Sequence, residues 1–260
     1  LTEYSDYKIL LKLREKIDKL EKTVPQKENE LNYDYYERIG KQIKPLLEGW
    51  LPGEYNFSIC TTGTTGKAKW IPYVKGEKFP SLFSIRTIIL SCTDEMGEPN
   101  LESGDKLLDV AAPVPYITGY GTRGLRKEFE VVPPAELTDN YSTIQEKIRM
   151  ILDSVKNNEV KCIGASGNFV KLLYKYFMKP AELFKENYQT SSIGLKKLAY
   201  LLLWTKSELF GKKYDDIREV LPLEGMLFYG VGASLYEDFI KESYGLEPLI
   251  VYGASEGVGM

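Results

Sequence analysis

Between Thr61 and Lys69 the chain reads TTGTTGKAK, and the chemistry such a run offers is anion binding. Gly63 and Gly66 let backbone N–H groups approach a ligand closely, the hydroxyls of Thr61, Thr62, Thr64 and Thr65 add donors, and Lys67 and Lys69 bring positive charge. An ordinary polar turn with solvated lysines explains the same residues. A second candidate is Glu256, a lone carboxylate preceded by Tyr252, Gly253, Ala254 and Ser255 on a turn that follows a strand-like run. A carboxylate so placed suits a hard cation such as Mg²⁺ beside a triphosphate, and it also suits plain solvation. Gly232, Ala233 and Ser234 are a third: small residues at another strand end, on which a flat base can lie, or simply a strand-to-helix turn.

What is missing narrows the chemistry further. There is no histidine in the 260 residues, so Ser-His-Asp and Cys-His catalysis, His-ligated metals and imidazole acid–base chemistry are all excluded. Cys60, Cys92 and Cys162 are widely spaced, with no C-x-x-C pairing, which argues against a disulfide framework or a thiolate zinc site and fits a reducing cytoplasm. A net charge of −3 gives no basic field for nucleic acid. The apolar run Leu198–Trp204 falls far short of the roughly 20 residues that cross a membrane. With 43% hydrophobic residues the chain can bury a sizeable core.

Strands and helices have to carry these groups to one place. Leu10, Leu13, Ile17 and Leu20 recur at helical spacing in YKILLKLREKIDKLEK, and LNYDYYERIGKQIKPLLEGW predicts a second helix, ending near Gly49. A turn at Leu51-Pro52-Gly53 leads to the strand YNFSIC, which enters the threonine–glycine run; KWIPYV leaves it as another strand. That order excludes a Walker A loop, which runs into a helix and needs Ser or Thr after its Gly-Lys, where this chain has Ala68.

Downstream, a helix over LFSIRTIILSCTDEM, strands at KLLDVAAP and FEVVPP, a helix opening at Ser142 with Gln145 as its capping-box partner, the strand VKCIGA and the helix GNFVKLLYKYFM alternate as in an α/β fold. Doubly wound sheets with flanking helices are expected. Residues 1–54 read as an N-terminal helical region and 55–260 as the α/β core, with a lysine-rich helical insertion at about 180–222 that packs on the surface or closes as a lid. The last unit is a strand MLFYGV, a helix capped by Ser234 with Glu237 and ended by Gly245, and a buried strand Leu249–Tyr252. Its two loops lie at carboxyl ends of strands, where open α/β sheets place ligands. The chain starts at Leu1 and stops soon after that strand, so a fragment of something longer is expected.

In this order and at these distances, TTGTTGKAKWIP, VGASLYEDF and VYGASE resemble the phosphate loop, the adenine-flanking loop and the Tyr-Gly-x-x-Glu segment of the adenylate-forming superfamily. Lys69 to Pro72, as Lys-x-Ile-Pro, and Tyr252 to Glu256 are most similar to the acyl-acid amido synthetases related to the auxin-conjugating Gretchen Hagen enzymes. Phenylacetate-CoA ligases are near neighbours: YITGYGTRGL at 116–125 is similar to their glycine-rich acyl-side loop, and IGASGNFVKLL to a later strand-turn-helix. The likeness runs from about residue 55 to the end. Ala68, Trp70 and Thr62 depart from the usual Pro, Gly and Ser. The family's ribose-binding Asp and mobile C-terminal domain would lie beyond Met260.

The resemblance implies an ATP- and Mg²⁺-dependent ligase that joins a small carboxylic acid to AMP and passes the acyl group to an amine such as an amino acid. Acid-CoA ligation is the alternative, and a nucleotide-binding interaction module without turnover is a third possibility. Lys69 and Glu256 would be the catalytic residues, with Glu256 also holding the metal. Tyr116, Ile117, Thr118, Gly119, Tyr120 and Gly121 would line the acyl pocket. Such chemistry suits a chain without histidine, because the nucleophilic carboxylate is already ionised and catalysis reduces to positioning and charge neutralisation.

Overall fold

The computed structural model describes residues 8–28, 30–61, 69–76, 81–138, 144–190, 195–210, 214–229 and 232–251. Two helices come first, α1 (Lys8–Thr23) and α2 (Asn32–Leu47). Leu13, Ile17 and Leu20 of α1, and Tyr35, Ile39, Ile43 and Leu47 of α2, recur every three or four residues, so each set forms one buried stripe. The stripes close over an antiparallel hairpin of β1 (Tyr55–Cys60) and β2 (Trp70–Val74), whose Tyr55, Cys60 and Trp70 complete the same core. Fully burying each such aliphatic side chain contributes about 1.5–3 kcal/mol, which is why these short elements hold together. The expected boundary at residue 54 falls between α2 and β1, inside this shared core.

The remaining elements are α3 (Ser81–Ser91), β3 (Lys106–Asp109), α4 (Ile117–Leu125), β4 (Glu130–Val132), α5 (Ala135–Thr138), α6 (Ile144–Asn157), β5 (Cys162–Ala165), α7 (Gly167–Met178), α8 (Pro180–Thr190), α9 (Leu195–Phe210), β6 (Gly225–Tyr229), α10 (Glu237–Tyr244) and β7 (Leu249–Val251). Helix α3 stops at Ser91, well before the expected Met96. The Asp94 carboxylate explains the stop: it accepts the N–H groups of Met96 and Glu98 at 2.9 and 2.8 Å and so holds a turn in place of a helix. The cap expected at Ser142 lies outside the described residues, while Ile151, Leu152 and Val155 of α6 are buried as the periodicity predicts.

β4, β3, β5, β6 and β7, in that order, make a five-strand parallel sheet flanked by helices, the α/β class expected from the alternating pattern. Cys162–Ala165 pairs in parallel with Gly225–Phe228, and Leu227–Tyr229 with Leu249–Val251. Chain order runs outward from β3 in both directions, which makes β3 the strand at which the order reverses, the place where open α/β sheets form a ligand crevice. β7 is an edge strand and only half-buried, with Ile250 37% exposed, rather than the buried strand its apolar residues predict.

The described residues divide into two compact units. One takes those up to Thr87 together with Asp109–Ile151; the other takes Ile88–Leu108 and Leu152–Val251. In the second, Cys162, Ile163, Ala165, Met226 and Phe228 are the buried centre, and the Tyr244 hydroxyl of α10 donates to the Val170 carbonyl of α7 at 3.0 Å. The stretch expected as a helical insertion forms α8 and α9, with Leu198, Leu202 and Leu203 of α9 exposed. No described helix is long and apolar enough to cross a membrane.

Candidate functional site

The threonine–glycine run begins and ends on the hairpin. Cys60 faces Trp70 in the register, and one step further Thr61 and Lys69 bond twice. The Thr61 N–H donates to the Lys69 carbonyl at 2.9 Å, and the Lys69 N–H donates to Thr61 Oγ1 at 3.0 Å. This strand–loop–strand setting is the one the sequence predicts. Trp70 anchors the return strand, 4% exposed and 5.8 Å from the Tyr36 ring. Thr62, Gly63, Thr64, Thr65, Gly66 and Lys67 lie outside the described residues.

Cys60 stands next to the loop, with its thiol held toward the neutral form. Burial pushes it up to about 11, and the nearby Glu21 and Asp18 carboxylates add to the effect, so the reactive thiolate is scarce at neutral pH.

The segment expected at the acyl side runs beside the same strand end. The Cys60 N–H donates to the Pro115 carbonyl at 2.9 Å, and Tyr116 bridges Cys60 in parallel. From Ile117 onward the chain is helix α4, where a glycine-rich loop was expected. Its glycines lie against protein. A Cβ on Gly119 would meet the Val114 nitrogen, the Pro113 carbonyl carbon and, at 2.9 Å, the Pro113 oxygen; one on Gly121 would meet Ser84 Oγ. Tyr120 is buried with Ile59 and Val114, its ring 4.2 Å from that of Phe57, and Ile117 packs against the same cluster. Burial raises the Tyr120 phenol well above its ordinary value, so it is a neutral packing group. Thr118 donates its hydroxyl to the Ala112 carbonyl at 3.1 Å. Of the expected acyl-pocket residues, Gly119 alone borders the neighbouring cleft.

That cleft, about 260 Å³, lies at the carboxyl end of β3, among Asp109, Ala111–Val114, the Gly119–Arg126 face of α4, Thr138, and Leu31, Tyr33 and Asp34 at the start of α2. Asp109, the last residue of β3, is 8% exposed; its Oδ1 accepts the Ala111 N–H at 2.9 Å and its Oδ2 faces Arg126 Nη2 at 3.2 Å. One turn earlier on α4, the Arg123 guanidinium lies over the Tyr33 ring. Sequence reasoning missed Arg123, Arg126 and Asp109. The three-residue spacing of the two arginines on one helix face is the signal that could have found them, once 117–125 is read as helix.

Gly232, Ala233 and Ser234 follow β6 in the other unit. Gly232 has a left-handed φ of 77° and opens a 3-10 turn over Ala233–Tyr236; Ala233 is buried and Ser234 exposed. The capping box expected of Ser234 and Glu237 is absent, because α10 starts at Glu237 and its N-cap is Tyr236, with no side-chain cap. The 3-10 turn takes up the residues that a direct strand-to-helix junction would have left for a cap. Gly245 ends α10 as expected, at φ 69°. Tyr252, Gly253, Ala254, Ser255 and Glu256 lie outside the described residues, and among those described no group of Cys, Asp and Glu side chains is placed to hold a metal ion.

No family model matches the chain, and no curated protein matches it. The described geometry therefore offers an anchored loop base and a small charged cleft in one unit, and a strand-end turn in the other.

Proposed function

We propose that the chain is the large, doubly wound domain of an ATP-dependent carboxylic acid ligase, which activates a small acid as its acyl-adenylate with release of pyrophosphate and passes the acyl group to an amine. The observation that carries the reading is the base of the hairpin. A run of hydroxyls, glycines and lysines, of the composition that suits an anion, joins two paired strands, with Thr61 and Lys69 bonded to one another at its ends. With no helix following, charge and hydroxyls do the work that a helix dipole does in a P-loop.

In this reading Lys69 and Lys67 neutralise the departing pyrophosphate, and the loop N–H groups and Thr61, Thr62, Thr64 and Thr65 hold the β and γ phosphates. By the resemblance, Gly232–Ser234 would take the adenine and Glu256 would hold Mg²⁺, which would supply charge neutralisation at the phosphates. The acid's carboxylate attacks the α phosphorus and needs no general base. The setting is a reducing cytoplasm, without nucleic-acid or membrane partners.

The test is exchange of labelled pyrophosphate into ATP in the presence of a panel of carboxylic acids. Acid-dependent exchange is expected; ATP binding without exchange across the panel would leave a nucleotide-binding module instead. Lys69→Ala should slow exchange by 10²-fold or more, the scale of losing one charged group that acts on the transition state. Glu256→Ala should raise the Mg²⁺ concentration needed for half-maximal rate, and an unchanged titration removes Glu256 from the site.

A further inference from the structure

We infer that Cys92 and Cys162 form a reversible oxidation site, joined as an intramolecular disulfide when a hydroperoxide reaches them. The inference does not rest on the ligase reading.

The three cysteines are all buried, and two of them share one spot. Cys92 follows the last residue of α3, and Cys162 opens β5. Between them stands Ser91, whose hydroxyl donates to the Ile88 carbonyl at 2.8 Å and whose Oγ lies 3.7 Å from Cys92 Sγ and 3.5 Å from Cys162 Sγ. The two thiols also hydrogen-bond to each other. Gly225 explains how the second sulfur fits. It is the register partner of Cys162 on β6, so a side chain there would stand on the same face of the sheet, one strand spacing of about 4.8 Å away. A Cβ on Gly225 would meet Cys92 Sγ. The Cys92 sulfur therefore fills the place of the side chain that Gly225 lacks, beside Cys162. All four residues belong to one compact unit.

A single buried thiol is a small hydrophobe and needs no further account. Two in contact differ, because one can hold the other's charge. Their mutual hydrogen bond, the largest cause for each, keeps Cys92 below its ordinary value and Cys162 well above it, so the first thiolate forms at Cys92. That thiolate attacks one oxygen of hydrogen peroxide; the O–O bond breaks, Cys92 becomes a sulfenic acid, and the departing hydroxide takes a proton and leaves as water. The Cys162 sulfur then attacks the Cys92 sulfur, the S–O bond breaks, and hydroxide leaves with the Cys162 proton as a second water. Two thiols give up two electrons, and the peroxide takes them. Thiols already hydrogen-bonded need little backbone movement to bridge. Full burial of both restricts the oxidant to a small one. The bond ties the end of α3 to the middle strand of the sheet, and in a reducing compartment it is transient rather than structural. Cys60 takes no part: it belongs to the other unit, and burial pushes its thiol up to about 11.

The test is treatment of the folded whole chain with hydrogen peroxide, alkylation in urea without reduction, and peptide mapping. Free thiols should fall from three to one per chain, with a Cys92–Cys162 linked peptide pair that dithiothreitol releases. Cys60→Ser should form the same link. Cys162→Ser should leave a sulfenic acid on Cys92 that dimedone traps at least tenfold more than it labels Cys162 in Cys92→Ser. Mapping of the unsubstituted chain needs no variant to fold, and thermal melts check the variants. The proposal is overturned if both thiols stay free at a peroxide dose that oxidises them in urea, if they are recovered as sulfinic or sulfonic acids instead of linked, or if the link joins Cys60 or a second chain.

Discussion

In α4 the glycines meet protein backbone and a serine hydroxyl; in the run from Thr61 to Lys69 the glycines fall between two strand ends that already satisfy each other through the Thr61–Lys69 bonds. Both stretches are glycine- and threonine-rich, and both read as ligand loops from sequence. A missing side chain permits close approach, but it does not say whether a ligand or the protein itself approaches. What separates the two is what surrounds the glycines. Ile117 and Tyr120 stand among Gly119 and Gly121 at helical spacing and reach the core, whereas the other run has only threonines between its glycines and lysines after them.

The contrast is broken most directly at Gly119. A methyl there would collide with the backbone of Pro113 and Val114, which cannot swing aside as a side chain does. Gly119→Ala should lower the unfolding free energy by about 3 kcal/mol or more in urea, at the upper end of overpacking costs. A loss under about 1 kcal/mol would mean that the segment is the loop its composition suggests.

Local patterning made the apolar stripes of α1, α2 and α6 and the strand–loop–strand setting of Thr61 and Lys69 legible, because a period of two or of three to four is written in neighbouring residues. It did not reveal the helix at 117–125, whose three glycines lower helix propensity, a cost that the close contacts of Gly119 with Pro113 and Val114 and of Gly121 with Ser84 offset. Nor did it reveal the cleft. Asp34, Asp109 and Arg123 come from α2, β3 and α4, and nothing local links them. The 3-10 turn at Ala233–Tyr236 and the edge position of β7 depend likewise on the sheet rather than on the residues alone.

The other stretch is sharpened by the thiol beside it. With its folded value pushed from 9.0 to about 11, Cys60 carries about a hundredfold less thiolate at pH 8 than an unfolded chain does. Alkylation by iodoacetamide should be slower than in urea by at least that factor. Because the folded value is raised, the stability it reports is complete below pH 9 and is lost as pH climbs toward 11, so the melting temperature should fall across that window. Alkylation as fast as in urea would mean that the base of the loop opens freely. Thr61→Val removes the acceptor of the Lys69 N–H and should cost about 1 kcal/mol, with Thr61→Ser restoring most of it.

Gly121 offers the smallest effect and the sharpest discrimination, because its obstacle is a side chain. A Cβ there meets Ser84 Oγ, whereas Ser84 Cβ stands at a tolerable 3.4 Å. Alone, Gly121→Ala should cost up to about 1 kcal/mol, the clash partly offset by the roughly 1 kcal/mol that alanine gains over glycine inside a helix. In a Ser84→Ala background the clash disappears and the helical gain remains, so the same substitution should become neutral or stabilising by about 0.5 kcal/mol. The sign change in a double-mutant cycle, read from urea midpoints, requires that residue 121 be helical and packed against α3. If the cost is the same in both backgrounds, Ser84 is not what Gly121 makes room for, and the account of this glycine as a packing residue fails even if that of Gly119 survives.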